Sequence, residues 1–380
     1  MPRGETGSRR RFVTLTIFSR RSIRTVWERR GLSGKLVGFA FVPLSKLYAA
    51  SVQIRNYLFA QGILRSVRLP RPVVSVGNLT VGGTGKTPTC LWLARELGMR
   101  GLKVGILSRG YRRKEKRPVI LQPSDNTPLN LDADGKLEHA GDEPLMMAGI
   151  YGQTIGVSAN RAAAAAELLR RQDVDVFLLD DGFQHHRIQR EVDVLLLGRD
   201  SNGRVLPAGP FREPRGNLRR ADFLLATGGN GDWAPVISQE SEGKLFSAAL
   251  RPVCLVSFTH QGPQEFPLTL LHRSKILAVN GIADPRGFYR AIRDWDGEIV
   301  ETLEFPDHHS YTVRDWQQIS RIARWVDLII TTEKDILKLT RFSFAKEKLL
   351  ALRVAMEVAN GDALVAAIVA KIAAARRPAG

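Results

Sequence analysis

Cysteine and long apolar runs are both scarce in this sequence. Only two cysteines occur, Cys90 and Cys254, and they lie far apart in apolar stretches, without a CxxC motif or the spacing of a metal site. We therefore expect no disulfide framework, and we predict buried, inert thiols in a reducing compartment. No run of about 18 uninterrupted apolar residues occurs, so we predict no ordinary transmembrane helix.

Acidic residues are too few to balance the basic ones. The 380 residues include 38 Asp and Glu against 56 Lys and Arg, which gives a formal net charge of +18. Such a surface attracts nucleic acid, anionic lipid head groups or phosphorylated substrates, and charge alone does not choose among them. The 44% of hydrophobic residues excludes wholesale disorder, and the length favours two domains.

The most informative stretch is VVSVGNLTVGGTGKTP, residues 73–88. A β-branched run leads into glycines and then into Gly-Lys-Thr, which is the order of strand, phosphate-binding loop and helix start. Glycines let the backbone N–H groups converge on one point, the lysine supplies a cation for the β- and γ-phosphates, and the threonine hydroxyl suits Mg²⁺. The predicted nucleotide-binding residues are Thr80, Val81, Gly82, Gly83, Thr84, Gly85, Lys86 and Thr87.

Thr80 departs from the strict pattern G-x-x-x-x-G-K-[ST], which has glycine at this position. The alternative interpretation is a glycine-rich turn between a strand and a helix that binds no nucleotide. The nucleotide site is favoured because Gly-Lys-Thr at a predicted strand-to-helix junction is a specific context.

A second apolar strand, predicted over residues 174–179, ends in Asp180 and Asp181. This is the form of a Walker B strand, which places a carboxylate beside the phosphate loop to hold Mg²⁺ directly or through water. Neighbouring side chains of an extended chain point in different directions, so we predict one metal ligand and one residue with a second role. The alternative is an ordinary Asp-Gly turn.

Three arginines lie in turns or at helix starts that a ligand crevice would contain. Arg109 follows the strand predicted over residues 103–107, and the carboxyl end of a parallel strand faces such a crevice. Arg161 begins a predicted helix, where the helix dipole disfavours a cation, so an anionic partner is indicated. Arg212 and its neighbour Glu213 lie in the stiff loop LPAGPFREP. Solvated loops and a surface ion pair are the alternatives.

The predicted fold class is α/β, with a P-loop NTPase-like parallel sheet flanked by helices and a second, smaller α/β domain. The predicted segments are a basic tail at 1–34, an amphipathic membrane-interface helix region at 35–68, a P-loop kinase core at 69–227, a β-rich linker at 228–273 and the small domain at 274–380. In 35–68 we expect a break near Pro43. Its broad apolar surface, flanked by cations, suits a membrane interface, and packing against its own domain is the alternative.

Phosphoryl transfer to an alcohol needs a base near the attacking hydroxyl. The sequence offers Asp142, Asp181, His185 and His308, and spacing alone does not rank them. An ordinary role for Asp142 is the N-cap of the helix that follows it.

In combination these motifs resemble the tetraacyldisaccharide 4′-kinase family of lipid A biosynthesis. The matching stretches fall in order over roughly residues 35 to 340: GNLTVGGTGKTP, SRGYRR, GDEP, SANR, LLDDGFQHHR, LPAGPFREP, FPDHH and TTEKD. Threonine in place of the first glycine is itself part of that family's pattern.

The resemblance implies a kinase that transfers the γ-phosphate of ATP, with Mg²⁺, to the 4′-hydroxyl of tetraacyldisaccharide 1-phosphate. It also implies a peripheral or monotopic position at the cytoplasmic leaflet of the inner membrane, with no nucleic acid as partner. The implied catalytic residues are Lys86, Asp181 and a carboxylate–imidazole pair, Asp142 and His308, that acts as the base. His308 is preferred to the adjacent His309 for this role. The implied metal ligands are Thr87, Asp180, Asp181 and Glu213, and the implied phosphate or substrate residues are Arg109, Arg161, Gln184, His185 and Arg212.

Two other classes of function stay open at this point. One is a P-loop ATPase or GTPase switch that binds a polyanion or a membrane, although no RNA-binding strand motif and no helix-turn-helix pattern is present. Residues 332–335, Thr-Glu-Lys-Asp, nearly match a guanine-reading motif, but glutamate stands where the asparagine amide is needed. The other is a soluble small-molecule kinase with residues 35–65 packed inside the fold.

Overall fold

The computed structural model describes residues 39–111, 113, 115–122, 139–198, 203–227, 244–259, 262–344 and 348–376, together with residues 27, 233 and 237. The predicted basic tail therefore lies, apart from Trp27, outside the described residues. The helices are α1 (Val42–Ala60), α2 (Lys86–Met99), α3 (Asp142–Tyr151), α4 (Arg161–Arg171), α5 (Arg286–Asp294), α6 (Val313–Ile322), α7 (Glu333–Leu339) and α8 (Gly361–Arg376). Short 3-10 helices cover Arg215–Arg220 and Leu268–Leu271.

The strands are β1 (Val73–Asn78), β2 (Val104–Ser108), β3 (Val119–Leu121), β4 (Ile155–Val157), β5 (Val176–Asp180), β6 (Val192–Leu197), β7 (Phe223–Ala226), β8 (Leu245–Thr259), β9 (Gly262–Phe266), β10 (Lys275–Asn280), β11 (Glu298–Glu304), β12 (Leu328–Thr332) and β13 (Leu349–Val358). They form one sheet in the order β11-β10-β12-β13-β8-β7-β6-β1-β5-β2-β4-β3, with β9 paired to β8.

Strands β1 to β7 form the first group of strands, and the centre of this group positions the phosphate loop. Strand β1 lies between β5 and β6 and runs parallel to both. Every residue of these three strands is buried, as expected for parallel strands that are covered on both faces. Because parallel strands end at the same edge of a sheet, the loop after β1 and the acidic end of β5 lie side by side.

Strand β8 joins this group to a second parallel group formed by β10, β11, β12 and β13. Its first residues pair in parallel with β7, and its later residues pair antiparallel with β13. One hydrophobic cluster also extends across both groups, with Leu93 and Leu97 of α2, Leu277 of β10 and Met356 of β13. Each such side chain contributes about 1.5–3 kcal/mol when buried, so packing as well as pairing holds the groups together. The boundaries at 227 and 273 stay a prediction.

Helix α1 begins at Val42, with Pro43 in its first turn, where the missing N–H removes no hydrogen bond. Its amphipathic character is not confirmed, because Lys46 and Gln53 are exposed among the apolar residues. Some of its contacts with the rest of the protein are polar: the Ser45 hydroxyl, for example, donates to the carbonyl of Val205 at 2.6 Å. No helix within the described ranges is long and apolar enough to cross a membrane.

Candidate active site

The phosphate loop is shaped by two glycines and one buried asparagine. Gly82 and Gly85 have φ values of 120° and 88°, in the region that glycine adopts without strain. Asn78, at the end of β1, donates to the Thr84 hydroxyl at 2.8 Å and accepts from the Lys86 ammonium at 3.2 Å. The lysine is therefore held back against the loop, with its ammonium near the point on which the loop converges.

Thr80 fits where the strict motif has glycine because the backbone there is extended. Thr80 pairs with Phe211 in an antiparallel bridge. The N–H of Val81 donates to Pro210 at 2.8 Å, and the N–H of Arg212 donates to Leu79 at 2.7 Å. The loop LPAGPFREP thus supports the first half of the phosphate loop, and positive φ is needed only later, at the glycines.

The two Walker B acids have different surroundings. Asp180 is 5% exposed, and its Oδ1 has no hydrogen-bond partner within the described residues. Burial, and then the negative charges of Glu143 and Asp181, raise its pKa to about 7. A buried carboxylate with an unpaired oxygen is a good ligand for a divalent cation, whose charge would restore the ionised form.

Asp181 follows with a left-handed backbone, φ 52°, so its side chain leaves β5 in a different direction. Arg212 Nη1 donates to both of its carboxylate oxygens at 2.9 Å, and the Lys86 ammonium lies 3.7 Å from Oδ1. Burial raises the pKa of Asp181, but Lys86 and Arg212 lower it more, so the net shift is downward. Asp181 is therefore the acid that balances the positive charges of Lys86 and Arg212.

Residues near the acids supply further donors. Gln184 donates to the carbonyl of Asn78 at 2.9 Å, and its oxygen lies 3.4 Å from Arg212 Nη1. Arg161 is 5% exposed at the start of α4, and its Nε has no partner in the described part of the chain. Burial and then the neighbouring Arg109 lower the pKa of Arg161, while both Walker B acids raise it. A buried guanidinium with a free donor favours an anion.

His185 has the opposite electrostatic character. Burial and then the charges of Arg161 and Arg190 lower its pKa to about 4. The imidazole is therefore neutral at pH 7, and it adds a polar group rather than a cation to the site.

The remaining part of the site spans the two groups of strands. His308, from the loop after β11, has its Nδ1 3.3 Å from Asp142 Oδ2 at the start of α3. The adjacent His309 instead contacts Asp315 at 3.0 Å. Asp142 is the first residue of α3 and Gly141 before it is the N-cap, so the N-cap interpretation of Asp142 is wrong. Tyr111, just after β2, contacts the His308 ring, and β2 pairs with β5, so the pair lies at the same edge of the sheet as the Walker B acids.

Comparison with known proteins decides the family. Residues 37–373 match the family model described as tetraacyldisaccharide-1-P 4′-kinase, LpxK. The chain belongs to this family. Proteins named tetraacyldisaccharide 4′-kinase from Syntrophus aciditrophicus and Geobacter sulfurreducens are 36% and 38% identical to it, over 84% and 82% of this chain and 90% and 87% of theirs.

A solved structure of LpxK from Aquifex aeolicus in complex with ATP is also similar. It is 32% identical, superposes with a TM-score of 0.70, and covers 88% of this chain and 99% of that chain. The mixed α/β fold of this LpxK family member is therefore shared with an ATP-binding relative, and the resemblance seen in the motifs is confirmed.

Glu213, one of the predicted metal ligands, binds side chains of α1 and of the segment that follows it. Its carboxylate is completely buried. It accepts from Asn56 of α1 at 3.0 Å, Asn217 at 2.7 Å and Arg220 at 2.8 Å, with Arg55 of α1 at 3.5 Å. Within the described residues it makes no hydrogen bond with Thr87 or the Walker B acids. Its metal role stays a prediction, while its observed contacts attach α1 to the rest of the family fold.

Three contacts of the site were missed by sequence reasoning. Asn78 fixes the phosphate-loop lysine, and the Tyr111 ring lies 4.9 Å from the His308 ring. Lys338 of α7 places its ammonium 2.5 Å from Asp142 Oδ2. The available signal for the last was the spacing of Lys334 and Lys338, which puts both on one face of a helix that begins inside the TTEKD motif.

Proposed function

We propose that this protein transfers the γ-phosphoryl group of ATP to the 4′-hydroxyl of tetraacyldisaccharide 1-phosphate. One observation carries the proposal. In this member of the family, the phosphate loop, the two Walker B acids and the Asp142–His308 pair lie at one end of the sheet. The phosphate loop suits a nucleotide phosphate, the acids suit its Mg²⁺ and the cations around it, and the Asp142–His308 pair suits the activation of an alcohol.

The residues present fit ATP and Mg²⁺. The first turn of α2 has no side-chain cap, so its N–H groups are available to phosphate. A Cβ at Gly82 or Gly83 would meet nothing within 4 Å, so the loop has open space beside it. Thr87 and the unpaired oxygen of Asp180 would hold Mg²⁺, which when bound neutralises charge on the phosphates.

No cluster of three or more His, Cys, Asp or Glu side chains that could hold a metal occurs within the described ranges. This agrees with Mg²⁺ chemistry, since this ion usually binds through one or two carboxylates and the phosphates of the substrate. The metal site therefore depends on the nucleotide as well as on the protein.

The chemical step assigns each group a role. The 4′-oxygen forms a bond to the γ-phosphorus, the bond to the bridging oxygen of ADP breaks, and the hydroxyl proton passes to the Asp142–His308 pair. Lys86 binds the β- and γ-phosphates, while Arg161 and Arg212 neutralise the charge that spreads over the transferred group. Gln184 and Asp181 hold Arg212 in place through the contacts described above.

We further propose that α1 rests on the cytoplasmic face of the inner membrane. Four large apolar side chains of this helix are more than half exposed: Leu44, Leu47, Ile54 and Tyr57. Large exposed apolar side chains grouped on one helix are typical of a membrane or protein interaction site. Beside it lies a cavity of about 560 Å³ lined by α1 and by Leu206 and Pro207, which suits an acyl chain. Exposed Lys46, Arg65 and Arg68 are suited to anionic head groups.

The double variant Leu47→Asp with Ile54→Asp is expected to lose at least about tenfold in binding to vesicles of phosphatidylethanolamine and phosphatidylglycerol, because two carboxylates would enter the head-group layer. Co-sedimentation measures this. The matched control is Met99→Asp, which places a carboxylate on an exposed apolar position at the end of α2. Equal binding of all three proteins would contradict the role of α1.

The proposed reaction is tested directly by transfer of labelled γ-phosphate from ATP to tetraacyldisaccharide 1-phosphate in mixed micelles with Mg²⁺. We expect a phosphorylated lipid, identified by mass spectrometry as the 4′-monoester. ATP binding without any lipid product would overturn the acceptor while leaving the phosphate loop intact. ATP hydrolysis stimulated by vesicles that contain no acceptor would instead favour a membrane-associated switch.

A further inference from the structure

Helix α7 presents two lysines, four residues apart, to the first two residues of α3. The Lys338 ammonium lies 2.5 Å from Asp142 Oδ2, and the Lys334 ammonium lies 3.0 Å from Glu143 Oε1. Lys334 also lies 3.4 Å from Asp307 Oδ1. These contacts therefore join α3, which packs beside the first group of strands, to α7, which follows β12 of the second group.

Lys338 is unusually enclosed for a lysine. Its side chain is 4% exposed, and lysine is almost never fully buried unless it is paired. Its partners are Asp142 and the carbonyl of His309, to which it donates at 3.2 Å. A buried ammonium that is matched by a single carboxylate fixes the position of that carboxylate, because separating them would leave two uncompensated charges.

The two oxygens of Asp142 are used differently. Both Lys338 and His308 contact Oδ2. Within the described residues no hydrogen bond reaches Oδ1. Two donors thus hold the carboxylate by one oxygen and leave the second oxygen with its lone pairs available to an incoming hydroxyl.

Lys334 defines the tautomer of His308. Its ammonium lies 3.3 Å from His308 Nε2, and an ammonium can only donate. Asp307 Oδ1 lies 3.8 Å from Nε2, beyond hydrogen-bond distance. We therefore infer that Nε2 accepts from Lys334 and that Nδ1–H donates a hydrogen bond to Asp142 Oδ2. The two lysines of α7 together set the orientation of the carboxylate and the direction of its hydrogen bond with the imidazole.

We propose that Lys338 is a positioning residue for the reaction: it anchors Asp142 through Oδ2, so that Oδ1 receives the proton of the acceptor hydroxyl. This inference rests on the proposed function. It assigns the base to one oxygen atom, and it gives the paired lysines of α7 a role in assembling the site across the two groups of strands.

The proposal has a consequence for pH dependence. The groups that face Asp142 are His308 from the loop after β11, Lys338 and Lys334 from α7, Glu143 from α3 and Asp307 from the same loop as His308. Burial raises the pKa of Asp142, but the hydrogen bond with His308 and the charge of Lys338 lower it to about 2. Removal of Lys338 takes away one of these lowering effects, so the pKa of Asp142 rises.

A base works in its ionised form, so variants that lack Lys338 should lose activity preferentially at acid pH. We expect Lys338→Met to reduce kcat by about 10- to 100-fold with the KM for ATP changed less than about twofold. We also expect the ratio of its kcat/KM for the lipid to that of the wild type to fall as the pH is lowered from 7 to 3, with a midpoint about one pH unit or more above the pKa of Asp142 in the wild type. Use of the ratio cancels the titration of groups that both enzymes share.

Three further variants complete the experiment. Lys338→Gln keeps a donor for the His309 carbonyl without the charge, and it serves if the methionine variant fails to fold. Lys338→Arg restores a cation and should return the acid side of the profile toward that of the wild type. The matched control is Lys348→Met, since Lys348 donates to the carbonyls of Ala323 and Val326 and has no carboxylate partner among the described residues.

A pH ratio that stays flat in both neutral Lys338 variants, with only the melting temperature lowered, would overturn the positioning role and leave a structural one. A wild-type enzyme that forms no lipid product would overturn the proposed function instead. The inference is supported if the neutral Lys338 variants lose more activity relative to the wild type as the pH falls. Lys338→Arg should then recover this activity, and Lys348→Met should show no such loss.

Discussion

Lys86→Met is expected to lower the rate of phosphoryl transfer by about 10²–10³-fold, the typical effect of removing one preorganised electrostatic donor. The ammonium is held by Asn78 and lies beside Asp181, and its side chain is 14% exposed. No other lysine within the described part of the structure has this position in the phosphate loop. Steady-state kinetics with labelled ATP and the lipid acceptor measures the loss.

The matched control for this variant is Lys103→Met. Lys103 is an exposed lysine that pairs with Asp173, far from the phosphate loop in the sheet. Both proteins should fold normally, as judged by thermal unfolding. Full activity of Lys86→Met would mean that the glycine-rich loop does not bind the transferred phosphate.

Asp142→Asn should lower kcat by about 10²–10⁴-fold while leaving ATP affinity nearly unchanged. The amide keeps the shape of the side chain but cannot accept the proton of the 4′-hydroxyl. It also leaves Lys338 buried without a carboxylate, so a lower melting temperature is expected as well. Single-turnover transfer and calorimetric ATP binding separate the chemical step from nucleotide binding.

The chain offers a second carboxylate–imidazole pair as the control. Asp315 contacts His309 at 3.0 Å and caps α6, without any contact to the phosphate loop or to Asp142 in the described ranges. Asp315→Asn should therefore reduce stability without a comparable loss of kcat. An Asp142→Asn enzyme with normal kcat would remove Asp142 from the chemistry.

Local sequence was enough to predict the strand, loop and helix around Lys86, because the glycines, the lysine and the helix start are all neighbours in the chain. It was also enough to place Asp180 and Asp181 at the end of a buried strand. The acceptance of threonine at position 80 could be taken only from the family pattern. Its physical reason is a backbone pairing with Phe211, which is distant in sequence.

Contacts between distant segments explain what sequence reasoning missed. Arg212 and Glu213 are adjacent at a bend of the chain, yet the side chain of Arg212 reaches Asp181 and that of Glu213 reaches α1. Lys338 meets Asp142 only because α7 packs against α3. The pairing of Asp142 with His308 was expected from the family resemblance rather than from spacing, and the distance in the structure agrees with it.

The segment from Pro210 to Glu213 lies between α1 and the phosphate loop as a single layer of chain. On one side its backbone bonds Leu79 and Val81. On the other side the Tyr48 hydroxyl donates to the carbonyl of Arg212, and Asn56 donates to Glu213. Neighbouring strands lie about 5 Å apart, so this layer acts as a short spacer. With α1 resting on a bilayer, the spacer would fix the height of the phosphate loop above the lipid head groups, and a sugar hydroxyl could be phosphorylated while its acyl chains stay in the membrane.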